Sequence, residues 1–448
     1  MVTLNLEKIF SPNSIAVIGA SNKERSVGHA LMKNLTESGY SGKVYPVNIN
    51  KTEILGLKAY QNVAQLPELV DLAVIATPAK TVPDIVEQCG KAGIVGVIII
   101  SAGFKERGPE GKELEDRILE LKTKYNMRII GPNSLGLIRP SINLNATFTN
   151  KIAKQGNIAF ISQSGALGSA ILDLAIREHI GFSNFVSVGS MTDIDFGDLI
   201  DYFGTDPKTR SILMYVEGIR NARKFMSAAR HFARTKPIIV VKAGKFNETT
   251  KAVAVHTGEQ AGEDVAYDAA FKRVGMVRVE EIGDLFNCAE VLGIQPLPRG
   301  SKLAIITNAG GAGIMAADAL IAGGGKLAKL DPKTIEKLDK SFPPHWSKAN
   351  PVDILGDAKT DRYETAITAC LEDKNVDGLL IIFAPQGLSD SVDVAKCVSR
   401  LCEHKEHGKP VLTSFMGYET VEEANRILNQ NSIPTYSTPE QAIKTYLY

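Results

Sequence analysis

A chain of 448 residues is longer than one ordinary core can use, and at about 150 residues per domain roughly three cores are expected. The formal charge of +1 gives no electrostatic case for nucleic acid or an anionic membrane as principal partner, leaving a small molecule or another subunit. No run approaches the roughly 18 to 20 uncharged apolar residues of a membrane span, and MVTLNLEKIFSPNS has no apolar signal core, so a cytoplasmic protein is expected. The five cysteines, odd in number and without CxxC spacing, suggest neither a disulfide framework nor a zinc site. They read as reduced packing residues, and no metal site is expected.

In the first third, the continuous apolar runs IAVIG, KVYPVN, LAVIAT, IVGVIIIS and MRIIGP predict strands covered on both faces, separated by helices such as DIVEQCGKAG and EDRILELKTKY. SIAVIGAS at 14–21 ends a strand and enters VIGASNKERSVGHALMKNL, where backbone amides and a helix N-terminus can face a phosphate. The spacing is wrong for a dinucleotide fingerprint, because eight residues separate Gly19 from Gly28 and no GxGxxG occurs. The second strand ends in Asn48 rather than the Asp or Glu of a nicotinamide enzyme, and Lys51 follows. A 3′-phosphorylated ADP group, as in coenzyme A, suits that combination. Candidate CoA contacts are Gly19, Ala20, Ser21, Ser26 and Gly28 in the turn, with Asn48 and Lys51. Thr77 and Pro78 of TPAK, and Ser101 and Ala102 of ISAGF, line the same sheet edge. The plainer alternative is that both glycines only ease a strand-to-helix turn while Lys51 is solvated. GPNSLGLI at 131–138 closes this domain with a backbone-rich turn, and its Asn133 and Ser134 are candidate substrate contacts.

The segment 143–156 reads as polar and strand-free, so a boundary is placed there, and the predicted domains are 1–142, 143–293 and 300–448. NIAFISQSGALG at 157–168 repeats the strand, turn and helix start. Ser164, Gly165 and Ala166 leave amides exposed at the positive end of a helix, an anion site, although a bare cap with the serine accepting from the first turn explains them equally well. Further strands are FSNFVSVG, SILMYVE, PIIVVKAG and MVRV. Glu217 ends SILMYVE, where its carboxylate can accept from one ring nitrogen of a histidine and leave the other nucleophilic; a salt bridge to Arg220 or Arg223 is the alternative. His256, in VAVHTGEQAGED, has little bulk around it, so it is either idle, the usual reading of a lone histidine, or placed to move.

IQPLPRGSK at 294–302 reads as the second joint. Strands LAIIT, PVDIL, GLLIIFA, PVLTSF and PTY follow, and ITNAGGAG places Gly310, Gly311, Ala312 and Gly313 at a helix entrance. No Walker motif occurs, so this cradle suits a single phosphate rather than a nucleoside triphosphate with its metal. Asp353 and Asp357 read best as strand-end caps. The fold class is α/β, with three doubly wound, Rossmann- or flavodoxin-like domains built on mainly parallel sheets.

SIAVIGAS, GPNSLGLI, ISQSGAL, YVEGI around Glu217 and VHTG around His256 together resemble the α subunit of the ADP-forming acyl-CoA synthetases, chiefly the ADP-forming acetyl-CoA synthetases, relatives of succinyl-CoA synthetase. The resemblance covers nearly the whole chain. It implies that phosphate attacks an acyl-CoA to give an acyl phosphate and CoA, that His256 takes the phosphoryl group and releases the acid, and that ADP then receives it. It also implies that Glu217 steadies His256, and that the phosphohistidine is held between helix starts matching Ser164-Gly165-Ala166 and Gly310-Gly311-Ala312-Gly313. ADP or ATP with Mg2+ would be bound mainly by a separate ATP-grasp β subunit, in an α2β2 assembly, with phosphate and CoA as the other substrates. The family loop reads close to HTGSLAGSD, whereas this chain has HTGEQAGED, which adds Glu259 and Glu263 beside a group that becomes anionic. A CoA-binding regulatory or scaffold protein without the chemistry is the rival reading. A nicotinamide dehydrogenase is disfavoured by Asn48 and the missing fingerprint.

Overall fold

Most of the apolar runs become strands because no alternation leaves a face for water. The computed structural model describes residues 5–177, 180–246, 248–250, 252–253, 262–403 and 407–448. In the first sheet β1 (Ser14–Ile18) lies next to the edge strand β2 (Lys43–Val47). A small antiparallel hairpin, β3 (Glu53–Ile54) and β4 (Leu57–Lys58), follows outside the sheet. On the other side of β1 lie β5 (Leu72–Ile75), β6 (Gly96–Ile99) and β7 (Arg128–Ile130), all parallel. The sheet therefore switches direction beside β1, where a ligand crevice forms in such folds.

The second sheet has seven strands. They are β8 (Gly136–Arg139), β9 (Leu144–Thr147), β10 (Lys154–Ser162), β11 (Gly181–Ser187), β12 (Ser211–Val216), β13 (Ile238–Lys242) and β14 (Val277–Val279). Their spatial order is β14-β13-β12-β10-β11-β8-β9, antiparallel only at the β8–β9 hairpin and where β8 meets β11. The third sheet runs β16 (Lys326–Leu327), β15 (Lys302–Thr307), β18 (Gly378–Phe383) and β19 (Val411–Phe415), and β17 (Val352–Asp353) also pairs with β15. The run PTY contributes one isolated pairing, Thr413 with Thr435, rather than a strand.

One expectation needs correction. Residues 143–156 are not strand-free, because β9 and the start of β10 lie there. The strand of GPNSLGLI, β8, pairs with β11 of the second sheet. The chain divides into two compact units, Met1–Leu285 and Phe286–Tyr448. The physical reason is the hairpin. Asn34, on the helix Val27–Glu37 that follows β1, donates through Nδ2 to the carbonyls of Thr147 and Thr149 at 2.8 and 2.7 Å. Leu31 and Leu35 of that helix, Leu144 and Ala146 of β9, and Val186 of β11 then share one buried core. The loop after β11 adds backbone bonds from Ser190, Thr192 and Ile194 to Pro132, Gly131 and Ile129. All five cysteines are free and buried. Among the described residues no helix is long and apolar enough to cross a membrane.

Candidate active site

The turn after β1 is shaped by close backbone approach. Gly19 has φ +92° and its N–H donates to Val47 O at 3.0 Å; a Cβ there would lie 2.6 Å from Ala76 O. A Cβ at Gly28 would lie 1.9 Å from the Gly19 carbonyl oxygen, so only glycine lets the helix start sit this near the strand end. Ser26 caps that helix, accepting from His29 N–H at 3.3 Å, and Ser21 Oγ accepts from Lys23 N–H at 3.0 Å. Asn48 has structural work here: Nδ2 donates to Ala20 O and Oδ1 accepts from Asn50 N–H, both at 2.8 Å. Lys51 is exposed. Ser101 Oγ donates to Thr77 O at 2.5 Å, and Ser101 O accepts from Asn133 N–H at 2.8 Å, which ties three strand-end loops together. Pro78 precedes the short 3-10 turn Ala79–Thr81.

The second edge is built around Ser162, whose Oγ donates to Ser164 O at 2.8 Å and accepts from Ser164 N–H at 3.1 Å. Ser164 Oγ accepts from Leu167 N–H at 3.3 Å, so the serine does cap the helix Gly165–Arg177. Among the described residues the N–H groups of Gly165 and Ala166 have no backbone partner, as the first-turn amides of a helix do when they face an anion. Ser134 Oγ donates to Ser187 O at 2.6 Å and accepts from Gly136 N–H at 2.9 Å, holding the loop before β8 against β11.

Between these edges lies a cleft of about 530 Å³. Its wall unites three groups of the residues expected from sequence: Thr77, Ser101 and Ala102; Asn133 and Ser134; and Ser164, Gly165 and Ala166. Gly19, Ala20, Ser21, Ser26, Gly28, Asn48, Lys51 and Pro78 belong to the same sheet edge without lining this cleft. Gln163, Phe148 and Ser169 also line it and were not singled out from sequence. Gln163 could have been found, since it stands at a strand end inside the motif already marked.

Glu217 directly follows β12 and is 4% exposed. Its backbone N–H donates to Gln163 Oε1 at 2.5 Å, which couples it to the cleft wall. Burial pushes the Tyr215 hydroxyl pKa up, and its hydrogen-bonded neighbour Glu217 adds to that shift. Arg220, the alternative partner for Glu217, donates through Nη1 to Met191 O at 2.6 Å. Lys242, missed in the sequence, ends β13 and is 1% exposed, with Nζ 4.5 Å from the centre of the Tyr267 ring. Burial lowers its pKa, while the carboxylates of Asp264 and Glu217 pull it back up. The rule that located Glu217, a charged residue closing an apolar strand, applies equally to Lys242. His256 and Glu259 lie outside the described residues, while Glu263 precedes the helix Asp264–Val274.

The third helix start is Gly310–Ala322. Thr307 Oγ1 makes the same reciprocal pair with Ala309 that Ser162 makes with Ser164, both bonds being 2.9 Å. No side chain caps this helix. A Cβ on Gly310 would lie 2.7 Å from Asp353 Oδ2, so the carboxylate approaches the first residue of this helix closely. Asp353 Oδ1 also accepts from Leu355 N–H at 2.9 Å, a strand-end cap as expected. Asp357 pairs with Arg362 at 2.8 Å, and that contact holds its carboxyl below the usual range. Among the described residues no cluster of three or more His, Cys, Asp or Glu side chains could hold a metal ion.

Family models match the whole architecture in sequence order. A CoA binding domain covers residues 13–140, a succinyl-CoA ligase like flavodoxin domain covers 155–292, and a Ligase-CoA domain covers 303–445. The three matched spans are thus those of a CoA ligase chain. The α subunit of acetate–CoA ligase [ADP-forming] II from Pyrococcus furiosus is 44% identical over 97% of this chain and 95% of its own length. Acetate–CoA ligase [ADP-forming] from Methanocaldococcus jannaschii is also 44% identical, over 99% of this chain and 63% of its own. A solved structure of Candidatus Korarchaeum cryptofilum acetyl-coenzyme A synthetase 1, in complex with phosphate and ADP, superposes with TM-score 0.90 at 39% identity, covering 99% of this chain and 96% of that one. The chain belongs to the ADP-forming acetate–CoA ligase family and corresponds to its α subunit.

Proposed function

We propose that the chain catalyses the acyl and phosphoryl transfers of an ADP-forming acyl-CoA ligase, interconverting acyl-CoA, ADP and phosphate with acid, CoA and ATP. Acetate is the acid assigned, following the names of its relatives. The observation that carries this reading is the cleft, whose wall includes Thr77 and Ser101 of the CoA-binding span and the free amides of Gly165 and Ala166. In this reading the thioester enters along the first edge and phosphate is held at the helix start by its amides and the helix dipole. Phosphate attacks the carbonyl carbon, CoA thiol departs, and the acyl phosphate remains. His256 then takes the phosphoryl group, with Glu217 orienting the imidazole, and passes it to ADP with Mg2+ on an ATP-grasp β partner in an α2β2 assembly. The Gly310–Gly313 helix start is the second cradle for the phosphohistidine. Three domains are part of the proposal, with the β8–β9 hairpin counted with the second, as is a cytoplasmic location.

The test is intact mass of the chain mixed with acetyl-CoA and phosphate, alone and with an ATP-grasp subunit added, beside His256→Asn. Gain of one acid-labile phosphoryl group in the wild type alone is expected, with CoA binding equal in both. No gain under any of these conditions overturns the reading.

A further inference from the structure

The carboxamide of Gln163 is oriented by its surroundings in a way that leaves chemistry to spare. The residue is 6% exposed, between the end of β10 and the helix Gly165–Arg177, and it forms part of the cleft wall. Its Oε1 accepts two backbone N–H groups, from Glu217 at 2.5 Å and Gly218 at 2.9 Å. Flipping the amide would set its NH2 group against those two donors, so the orientation is decided by the network. Nε2, with two N–H groups, has no hydrogen-bond partner among the described residues. Donors left unused at the cleft wall can be met by water or by a ligand.

The third sheet carries the same device with one difference. Asn308 stands where Gln163 stands, one residue after the hydroxyl of the reciprocal pair, and it too reaches the neighbouring strand end. There both amide atoms are consumed by one residue: Oδ1 accepts from Ala384 N–H and Nδ2 donates to Ala384 O, each at 2.8 Å. Gln163 is one methylene longer and spends its oxygen alone. Structural bridging between strand ends therefore does not require the spare donors that Gln163 keeps at the cleft.

We propose that Gln163 is a further catalytic residue, donating through Nε2 to the substrate oxygen that becomes negative when phosphate attacks the acyl-CoA carbonyl. This rests on the functional reading above. A phosphate oxygen bonds to the carbonyl carbon and the π pair moves onto the carbonyl oxygen, which would take the Gln163 donors in the cleft that Gly165 and Ala166 also line. On collapse the C–S bond breaks, the thiolate leaves and takes a proton from solvent, and the acyl phosphate remains. Through Oε1 the same side chain links this cleft to the backbone of Glu217.

Gln163→Glu separates the two roles. A carboxylate still accepts from Glu217 and Gly218, but at neutral pH it offers no donor and faces the developing anion with like charge. CoA thiol release from acetyl-CoA and inorganic phosphate is measured for the chain, alone and with an ATP-grasp subunit added. Loss of one oxyanion donor predicts a fall in kcat on the order of 100-fold or more, with KM for acetyl-CoA within about twofold. A kcat within about twofold of wild type overturns the proposal. If charge repulsion near Glu217 unfolds this variant, uncharged Gln163→Met decides: a comparable loss of kcat in the folded protein supports the role, and retained kcat overturns it. A wild type that releases no CoA under either condition indicts the functional reading instead.

Discussion

Gly28→Ala is the most direct probe of how the first sheet makes a ligand edge. In an open helix the change would stabilise by roughly 1 kcal/mol, because alanine is the better helix former. Here the new Cβ would lie 1.9 Å from Gly19 O, 2.9 Å from Gly19 C and 3.2 Å from Ala20 Cα, all backbone atoms that cannot rotate away. Relief requires the turn and the helix start to separate by roughly 1 Å, and overpacking of this kind costs about 1 to 3 kcal/mol. The net expectation is a loss of about 0 to 2 kcal/mol, or a fall in melting temperature of up to several degrees at about 2 to 4 °C per kcal/mol. The same shift strains the 2.8 Å bond from Asn48 Nδ2 to Ala20 O. One such bond is worth about 1 kcal/mol, so CoA affinity should fall several-fold to about tenfold. Thermal unfolding and titration calorimetry with CoA read both effects. Gly283→Ala is the control, since nothing described lies within 4 Å of its Cβ, and it should be neutral or stabilising. A Gly28→Ala protein that melts at or above the wild type and binds CoA equally would refute the close-approach argument.

Lys51→Ala should weaken CoA much more than dephospho-CoA, and equal loss for both in a calorimetric titration rules out a contact with the 3′-phosphate. Burial raises the Glu115 carboxyl pKa, against the pull of Lys105, Thr192 and Arg220. A folded pKa above the unfolded one means that the group's contribution is whole below the unfolded value and is lost as pH rises through the folded value. Glu115→Gln can still accept from Lys105 N–H and meet Thr192 Oγ1. It should therefore melt above the wild type at pH 7, with the difference vanishing below about pH 4. Identical melting at pH 7 would show that the carboxylate is not under strain there.

Much of the cleft was legible before any coordinates. The runs LAVIAT and SILMYVE marked β5 and β12, and chemistry was sought at their carboxyl ends because open parallel sheets bind there. Thr77, Ser101, Asn133 and Ser164 do meet in one cleft. His256 was conspicuous only by its small neighbours, and it lies outside the described residues. Gln163 and Lys242 escaped notice for different reasons. The place of Gln163 at a strand end inside a marked motif is a local signal, but its two N–H donors lie 54 and 55 residues away and only the fold brings them to it. A lysine closing a strand reads as a solvated end until the sheet buries it.

The sequence by itself determined the parallel sheets and the helix starts that open on anions, because these follow from local rules: unalternating apolar runs bury both faces, and small residues leave first-turn amides bare. Tertiary structure alone decided that β8 and β9 leave the first sheet for the second and seal residues 5–285 of the described chain around a shared core. LGLI is equally acceptable to either sheet as a buried strand. Its partner was chosen by nonlocal terms: β11 offering an open edge, Asn34 satisfying Thr147 and Thr149, and the apolar area that Leu31, Leu144 and Val186 remove from water together.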